Sequence, residues 1–414
     1  MRAETEFHFT PIRDLGEVRM GKQLSPASRE GAGQAPYLRV ANVFDGRIDF
    51  SDVKYMSFTR AELATYSLRP GDILLNEGQS LELVGRSALY DGPDGAYCFQ
   101  NTLVRFRPGP LVLPEYAQIV FSRWLSTGVF SAIAKKTTSI AHMGGDRFAS
   151  LCFPLVALEE QRRIVASISA VENAEQSTRR QISKLRIIRQ ARINSFVGAP
   201  EASGEVGVLG DRLTRIDAGR SPDLPNQPAA AGGWGVLKVS AVRAEGFRPQ
   251  ENKALNDMSL LDKQYEVHDG DLLMSRANTP ELVGASCIAK TAASRLLLSD
   301  KTLRLVEDSD LADRSFVNLF LSSSAARIQI SNAASGSSRS MQNISQRAIF
   351  GISLVWPSLT NQQRFVREID AFDNSILIAD GELGKFRIIR QGVLESFFGK
   401  ENSKTFQPRP AGRG

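Results

Sequence analysis

The sequence is built twice. Residues 160–198 and 361–399 align without a gap at an offset of 201, with 15 of 39 positions identical, among them Arg186-Ile187-Ile188-Arg189-Gln190 against Arg387-Ile388-Ile389-Arg390-Gln391. The similarity reaches upstream. Pro70-Gly71-Asp72-Ile73-Leu74-Leu75 faces Asp269-Gly270-Asp271-Leu272-Leu273-Met274, and Glu82-Leu83-Val84-Gly85 faces Glu281-Leu282-Val283-Gly284. Asn101-Thr102-Leu103-Val104-Arg105 answers Lys301-Thr302-Leu303-Arg304. Self-similarity of this length means one architecture used twice: a divergent region, then a closely matched tail.

In the first tail Ile164, Ile168, Val171, Glu175, Thr178, Ile182 and Leu185 recur at alternating steps of four and three. Phe365, Ile369, Phe372, Ile376, Ala379, Leu383 and Phe386 repeat the pattern in the second. A stripe that narrow is a heptad seam, so each tail is predicted to be a long helix offering one side to another helix. Gly198 and Gly399 stand where a C-cap glycine is expected, and Pro200 opens a linker between the halves. Gly381 and Gly384 interrupt the second helix at a cost of order 1 kcal/mol each, a pattern that a close helix crossing would explain. At 1.5 Å per residue each helix is roughly 55 Å long. Two matched helices in one chain are expected to pair antiparallel, on a pseudo-two-fold axis; the alternative is that each packs on its own domain. The first is basic, with Arg162, Arg163, Arg179, Arg180, Lys184, Arg186, Arg189 and Arg192 against Glu160, Glu172 and Glu175. That excess is either a solvated face or a surface for phosphates or an acidic partner.

The regions upstream of the tails read as α+β. Short apolar strands, such as Tyr37-Leu38-Arg39-Val40 and Trp234-Gly235-Val236-Leu237-Lys238-Val239, alternate with turns, and helices are predicted over 115–126 and 314–330. Late in each region comes a small, polar, basic loop that is a poor core former. The first carries Lys135, Lys136, Thr137, Thr138, Ser139 and His142; the second carries Ser337, Ser338, Arg339, Gln342 and Asn343. Lysine and arginine suit phosphates, and serine, threonine, glutamine, asparagine and arginine supply donors and acceptors that suit base edges. A second candidate pair follows a predicted strand: Asn76-Glu77-Gly78-Gln79-Ser80, with Asn76, Gln79 and Ser80 as contact residues, facing Ser275-Arg276-Ala277-Asn278-Thr279, with Arg276 and Asn278. A flexible surface loop or a tight connection has the same composition.

Composition bounds the rest. The 414 residues, 42% hydrophobic and 23% charged, suffice for two to four domains of ordinary size. A net charge of +6 is compatible with a polyanionic partner without requiring one. No apolar run is long enough for a membrane span. Glu4 and Glu6, with His8 and Thr10, do not form a signal peptide. Three cysteines (Cys98, Cys152, Cys287) and three scattered histidines argue against a disulfide framework or a zinc site, so a cytoplasmic protein without a structural metal is expected. No glycine-rich methyl-donor loop, Asn/Asp-Pro-Pro-aromatic motif, P-loop or nucleophile elbow occurs. One loose metal-nuclease pattern does: Pro222-Asp223 followed by Glu251-Asn252-Lys253.

These motifs together carry a resemblance. Gly-Asp-Ile-Leu-Leu-Asn-Glu-Gly-Gln-Ser at 71–80, Cys98-Phe99-Gln100-Asn101-Thr102-Leu103 and Leu158-Glu159-Glu160-Gln161-Arg162-Arg163-Ile164 resemble the specificity subunit of type I restriction-modification systems, as does the order of globular region, long helix, globular region, long helix. The resemblance implies a target recognition domain over 1–158, a spacer helix over 159–198, a linker over 199–204, a second recognition domain over 205–358, a second spacer helix over 359–399 and a disordered tail over 400–414. It implies a chain with no catalytic residues and no bound cofactor or metal, partnered by double-stranded DNA and two modification subunits, with restriction subunits as further candidates. S-adenosylmethionine, ATP and magnesium would sit on those partners. The paired helices would then act as a ruler, longer than one DNA turn of about 34 Å, between two half-sites. Loops that differ on matched frameworks imply an asymmetric target. Two rival readings remain at this stage: a coiled-coil scaffold without DNA, and a nuclease using Asp223, Glu251 and Lys253.

Overall fold

A computed structural model describes residues 7–136, 140–198, 204–290, 295–338 and 341–399. The chain forms two compact units, Met1–Gln176 with Gly384–Gly414, and Ser177–Leu383. The two long helices, Leu158–Gly198 and Leu359–Phe398, each contribute one half to each unit. The linker residues 199–203 and the tail 400–414 lie outside the described residues.

In the first unit an antiparallel sheet runs in the order Gly16–Met20, Leu103–Pro108, Ile73–Asn76, Ser87–Leu89. Leu74 and Leu103 on one side pack with Leu38 and Phe99 of a three-stranded sheet, Cys98–Phe99, Gln34–Leu38 and Lys54–Ser57. On the other side lies the helix Pro114–Ser126. Proline at its first turn needs no hydrogen-bonding N–H, and Tyr116, Ala117, Val120, Phe121 and Trp124 fall at helical spacing on its buried face. Its aromatics meet Phe106, Phe130, Phe148 and Phe153 in the largest core of this unit. Gly85 is required here. It has φ +82°, and a Cβ would sit 2.4 Å from the Phe130 ring; Gly284 holds the matching place in the second unit, against Ile330.

The second unit repeats this frame. Its sheet runs Leu213–Ala218, Thr302–Glu307, Leu272–Ser275, Ser286–Ile288, beside a three-stranded sheet of Asn252–Ala254, Gly235–Leu237 and Leu296–Leu297. The helix predicted over 314–330 is two helices, Arg314–Leu321 and Ser324–Ala333. Ser323 breaks it: its hydroxyl accepts from the Ala326 amide and starts a new helix. The strand predicted over 234–239 is only Gly235–Leu237, because the chain turns into a 3-10 helix at Val239–Ala241.

The long helices pair antiparallel within each unit. In the second, Arg192 meets Glu368, Arg189 meets Asp373 and Arg186 meets Asp380, so one number falls as the other rises. Phe196 stacks on Phe365 at 3.9 Å, with the Arg192 guanidinium over both rings. In the first unit Arg390 meets Glu172. Ile164, Ile168, Thr178 and Ile182, and Phe365, Ile369, Ala379 and Leu383, are buried, and the other seam positions are half-buried. Three of the eight basic residues of the first helix, Arg186, Arg189 and Arg192, are thus answered by carboxylates of the second, while Arg162, Arg179, Arg180 and Lys184 are exposed. The glycines do not mark a close crossing: a Cβ at Gly381 or Gly384 would have nothing within 4 Å.

Each long helix enters through one buried glutamine. Gln161 and Gln362, both fully buried, occupy the same place in the repeat. Gln161 Oε1 accepts from the Leu113 amide, and its Nε2 donates to the Leu111 and Val156 carbonyls. Gln362 accepts from the Asp313 amide and donates to the Leu311 and Pro357 carbonyls. An amide side chain has both roles, so one residue ties the helix start to two loop segments.

Candidate nucleic-acid interface

Two loops that sequence reading treats separately are one element in each unit. In the first, Lys135–Lys136 and Ala141–His142 form a hairpin that pairs with Gly78–Gln79, the strand that follows Ile73–Asn76. Lys135 lies opposite His142, and His142 opposite Gly78. Paired residues share a face and neighbours alternate, so Ala141 and Met143, both buried, point to the core while His142 points out. Lys135 and Lys136 are exposed. His142 Nδ1 donates to the Glu77 carboxylate at 3.0 Å, with the imidazole 45% exposed and Glu77 only 16%. Arg147 donates to the His142 carbonyl and holds the strand from behind.

The second unit builds the same sheet from Ala277–Asn278, Met341–Asn343 and Ser335–Ser338. Asn343 lies opposite Ala277 and Ser335. Burial alternates again: Met341 and Asn343 are exposed, Gln342 is half-buried and Ile344 is buried. The backbone anchors match. The Met143 amide donates to the Glu77 carbonyl and the Ile344 amide to the Arg276 carbonyl; the Glu77 amide donates to Thr102 and the Arg276 amide to Lys301.

The predicted contact residues separate into two groups. Lys135, Lys136, Gln79 and His142 in one unit, and Gln342 and Asn343 in the other, stand on these small sheets with exposed or half-buried side chains, and half-buried Arg276 immediately precedes the strand Ala277–Asn278. Asn76 does not: it is fully buried and donates to the Val43 carbonyl, so it cannot meet a partner. Asn278 is also buried, and its carbonyl oxygen accepts from the Thr279 amide, as Gln79 accepts from the Ser80 amide. These residues shape the turn. Ser80 helps too: with Glu82's own amide, its hydroxyl holds the Glu82 carboxyl below its usual range, and Glu281 with Thr279 repeats this. Ser337 and Ser338 lie in the strand Ser335–Ser338, while Thr137, Thr138, Ser139 and Arg339 lie outside the described residues. Sequence reading passed over Glu77 and Gly78. The signal was present in the repeat, where an acid and a glycine face a base and an alanine at Arg276 and Ala277.

Little else in the fold suggests chemistry. Among the described residues no group of three or more His, Cys, Asp and Glu could hold a metal. Glu251 of the loose nuclease pattern accepts from Ser240 instead. Cys98 and Cys287 are buried, and burial pushes the Cys287 thiol up to about 11, away from nucleophilic or ligand use. Among the described residues no helix is long and apolar enough to cross a membrane.

Comparison with known proteins agrees with the resemblance read from sequence. Residues 4–186 match the family described as type I restriction modification DNA specificity domain. The chain is 34% identical over 165 residues to the type I restriction enzyme EcoEI specificity subunit of Escherichia coli, a match spanning 40% of this chain and only 28% of that relative. It is 22% identical over 413 residues to the MjaX specificity subunit of Methanocaldococcus jannaschii, a curated relative named as a putative type I restriction enzyme subunit, covering 95% and 93% of the two chains. The fold is that of the type I restriction-modification S subunit from M. genitalium (TM-score 0.51, 12% identity, 97% and 98% of the chains). It is also shared with a chain from a structure of type I R-M complex assembly and conformational transition (TM-score 0.62, 16% identity, 97% and 100%).

Proposed function

We propose that this protein, whose residues 4–186 match the family described as type I restriction modification DNA specificity domain, is the non-catalytic, DNA-reading subunit of a type I restriction-modification complex. Each unit reads one half of a split site in double-stranded DNA, with its small three-stranded sheet toward the bases. The long helices serve as the spacer. Two modification subunits bind the chain, supply S-adenosylmethionine and methylate an adenine in each half. The adenine leaves the stack and enters a pocket of the modification subunit, so the reading subunit needs no catalytic group of its own. Restriction subunits bring ATP and magnesium for translocation and cleavage. The complex works in the cytoplasm, where its DNA lies.

One observation carries this reading: the same sheet is built twice on the same backbone anchors, and its outward residues differ. Lys135 and His142 in one unit correspond to Ser335 and Asn343 in the other. A kept frame with a changed face suits two readers of different sequences, and therefore an asymmetric target. The test is co-expression with the cognate modification subunit. A stable complex is expected to bind duplex DNA with an affinity that falls linearly in log–log form with salt, as phosphate contacts require. A chain that forms no such complex and shows no salt-dependent DNA binding is the coiled-coil scaffold instead.

A further inference from the structure

We propose that Glu77 and His142 are a base-reading pair of the first unit: the carboxylate fixes the imidazole so that its outer nitrogen accepts a hydrogen bond from the exocyclic amino group of one adenine or cytosine. This rests on the DNA-reading function above and adds the residue, the atom and the chemical group read.

An ionised carboxylate only accepts hydrogen bonds. Its contact with Nδ1 at 3.0 Å therefore places the imidazole proton on Nδ1. In the neutral ring Nε2 is then a lone-pair acceptor, and the groups in the major groove that satisfy an acceptor are the amino groups of adenine and cytosine. The carboxylate is shielded while the ring is not, so the pair presents the imidazole to a partner.

The ring needs room, and Gly78 provides it. A Cβ at Gly78 would lie 3.2 Å from both Nδ1 and Cε1 of His142. In the second unit the three equivalent positions have all changed: Arg276 for Glu77, Ala277 for Gly78 and Asn343 for His142. The backbone hydrogen bonds around them have not. The frame therefore stands without the Glu77–His142 pair. A pair that the frame does not require, seated on the outward face opposite the exposed Lys135, is free to serve what that face meets.

The test uses the full chain in complex with its modification subunits. A random duplex library first yields the preferred split site. At each specified position the amino group is then deleted, with purine replacing adenine or 2-pyrimidinone replacing cytosine, which distinguishes the two sources. At one position in one half-site, deletion is expected to weaken binding of the unaltered complex about tenfold, the worth of one base-edge hydrogen bond. His142→Ala is expected to be insensitive to the same deletion. Glu77→Gln, whose amide can hold either tautomer, is expected to be intermediate, with relaxed choice at that position only. Gly78→Ala, which crowds the ring by a few tenths of an ångström, is expected to lower the sensitivity to amino deletion without abolishing it. If His142→Ala weakens binding to every sequence equally and keeps full sensitivity to amino deletion, the pair is merely structural and the proposal is overturned, with DNA reading intact. If the unaltered complex enriches no sequence, the functional reading beneath it falls instead.

Discussion

Single residues divide this molecule into what is kept and what is free. Gln161 and Gln362 are kept because a helix start buried against two loops leaves backbone groups that only an amide can serve at once. Replacing Gln161 with leucine strands the Leu113 amide and the Leu111 and Val156 carbonyls. The variant is expected to lose about 2–4 kcal/mol in denaturant unfolding; an unchanged midpoint would contradict the clamp. A second kept feature hides in a charge reversal. Buried Arg105 pairs with Glu17, and Arg304 with Asp217, although the acid–base order along the edge strand is Glu17–Arg19 in one unit and Arg215–Asp217 in the other. Burial pushes the Glu17 carboxyl up, but the Arg19 hydrogen bond and the charges of Arg105, Arg19 and Arg107 outweigh it and hold it below its usual range. A carboxyl lowered by folding stabilises the fold above the ordinary glutamate value of about 4.3, and that stability is lost as pH falls through the folded value. Acid unfolding of the native chain is therefore expected to steepen below that value relative to Glu17→Gln, and parallel acid curves would count against this. In sequence, the repeat exposed the Gln161–Gln362 identity. The burial of Asn76 was hidden, because a polar residue after a strand looks the same whether it faces solvent or caps the Val43 carbonyl.

Among the elements, the long helices were the most readable. Their seam follows a period of 3.5 over many turns, and nearly every seam side chain is buried or half-buried as expected. What periodicity could not show is the partner of the charges: arginines on one helix and acids on the other lie some 180 residues apart in sequence. Nor could it show what surrounds a glycine. Gly381 and Gly384 face open space, so each costs helix stability without any packing return. Gly381→Ala and Gly384→Ala are each expected to raise stability by about 1 kcal/mol, read as a higher melting temperature. A loss would mean that a neighbour occupies that space. The break at Ser323 was missed because Phe316, Val317, Phe320 and Ile330 keep an apolar helical rhythm across it, and a serine N-cap inside such a run is a weak local signal. The reading sheets were half visible. The two segments that supply the three strands of each were singled out as loops, but their pairing is long-range and only the fold brings them together.

For the molecule as a whole, the repeat is more than tandem. Each unit's own core includes the C-terminal part of a long helix. Phe398 stacks against Tyr116 and Phe7, with Arg123 over its ring, while Ile193 and Val197 enter the second core. Phe398→Ala is expected to cost about 3–5 kcal/mol and to speed hydrogen exchange in the strand Leu103–Pro108 of the first unit. Unchanged protection there would contradict this closure. Sequence order alone suggested contiguous domains, because nothing local marks a helix end as belonging to a core that begins hundreds of residues earlier. Under the proposed function, a frame closed in this way, used twice and faced differently each time, would let one chain read two unlike half-sites. The most direct test is methylome sequencing of cells that carry this chain with its cognate modification subunit. A single split motif with two dissimilar halves, a fixed unspecified spacer and one methylated adenine in each half is the expected result. Methylation absent, or confined to one contiguous or palindromic motif, would contradict it.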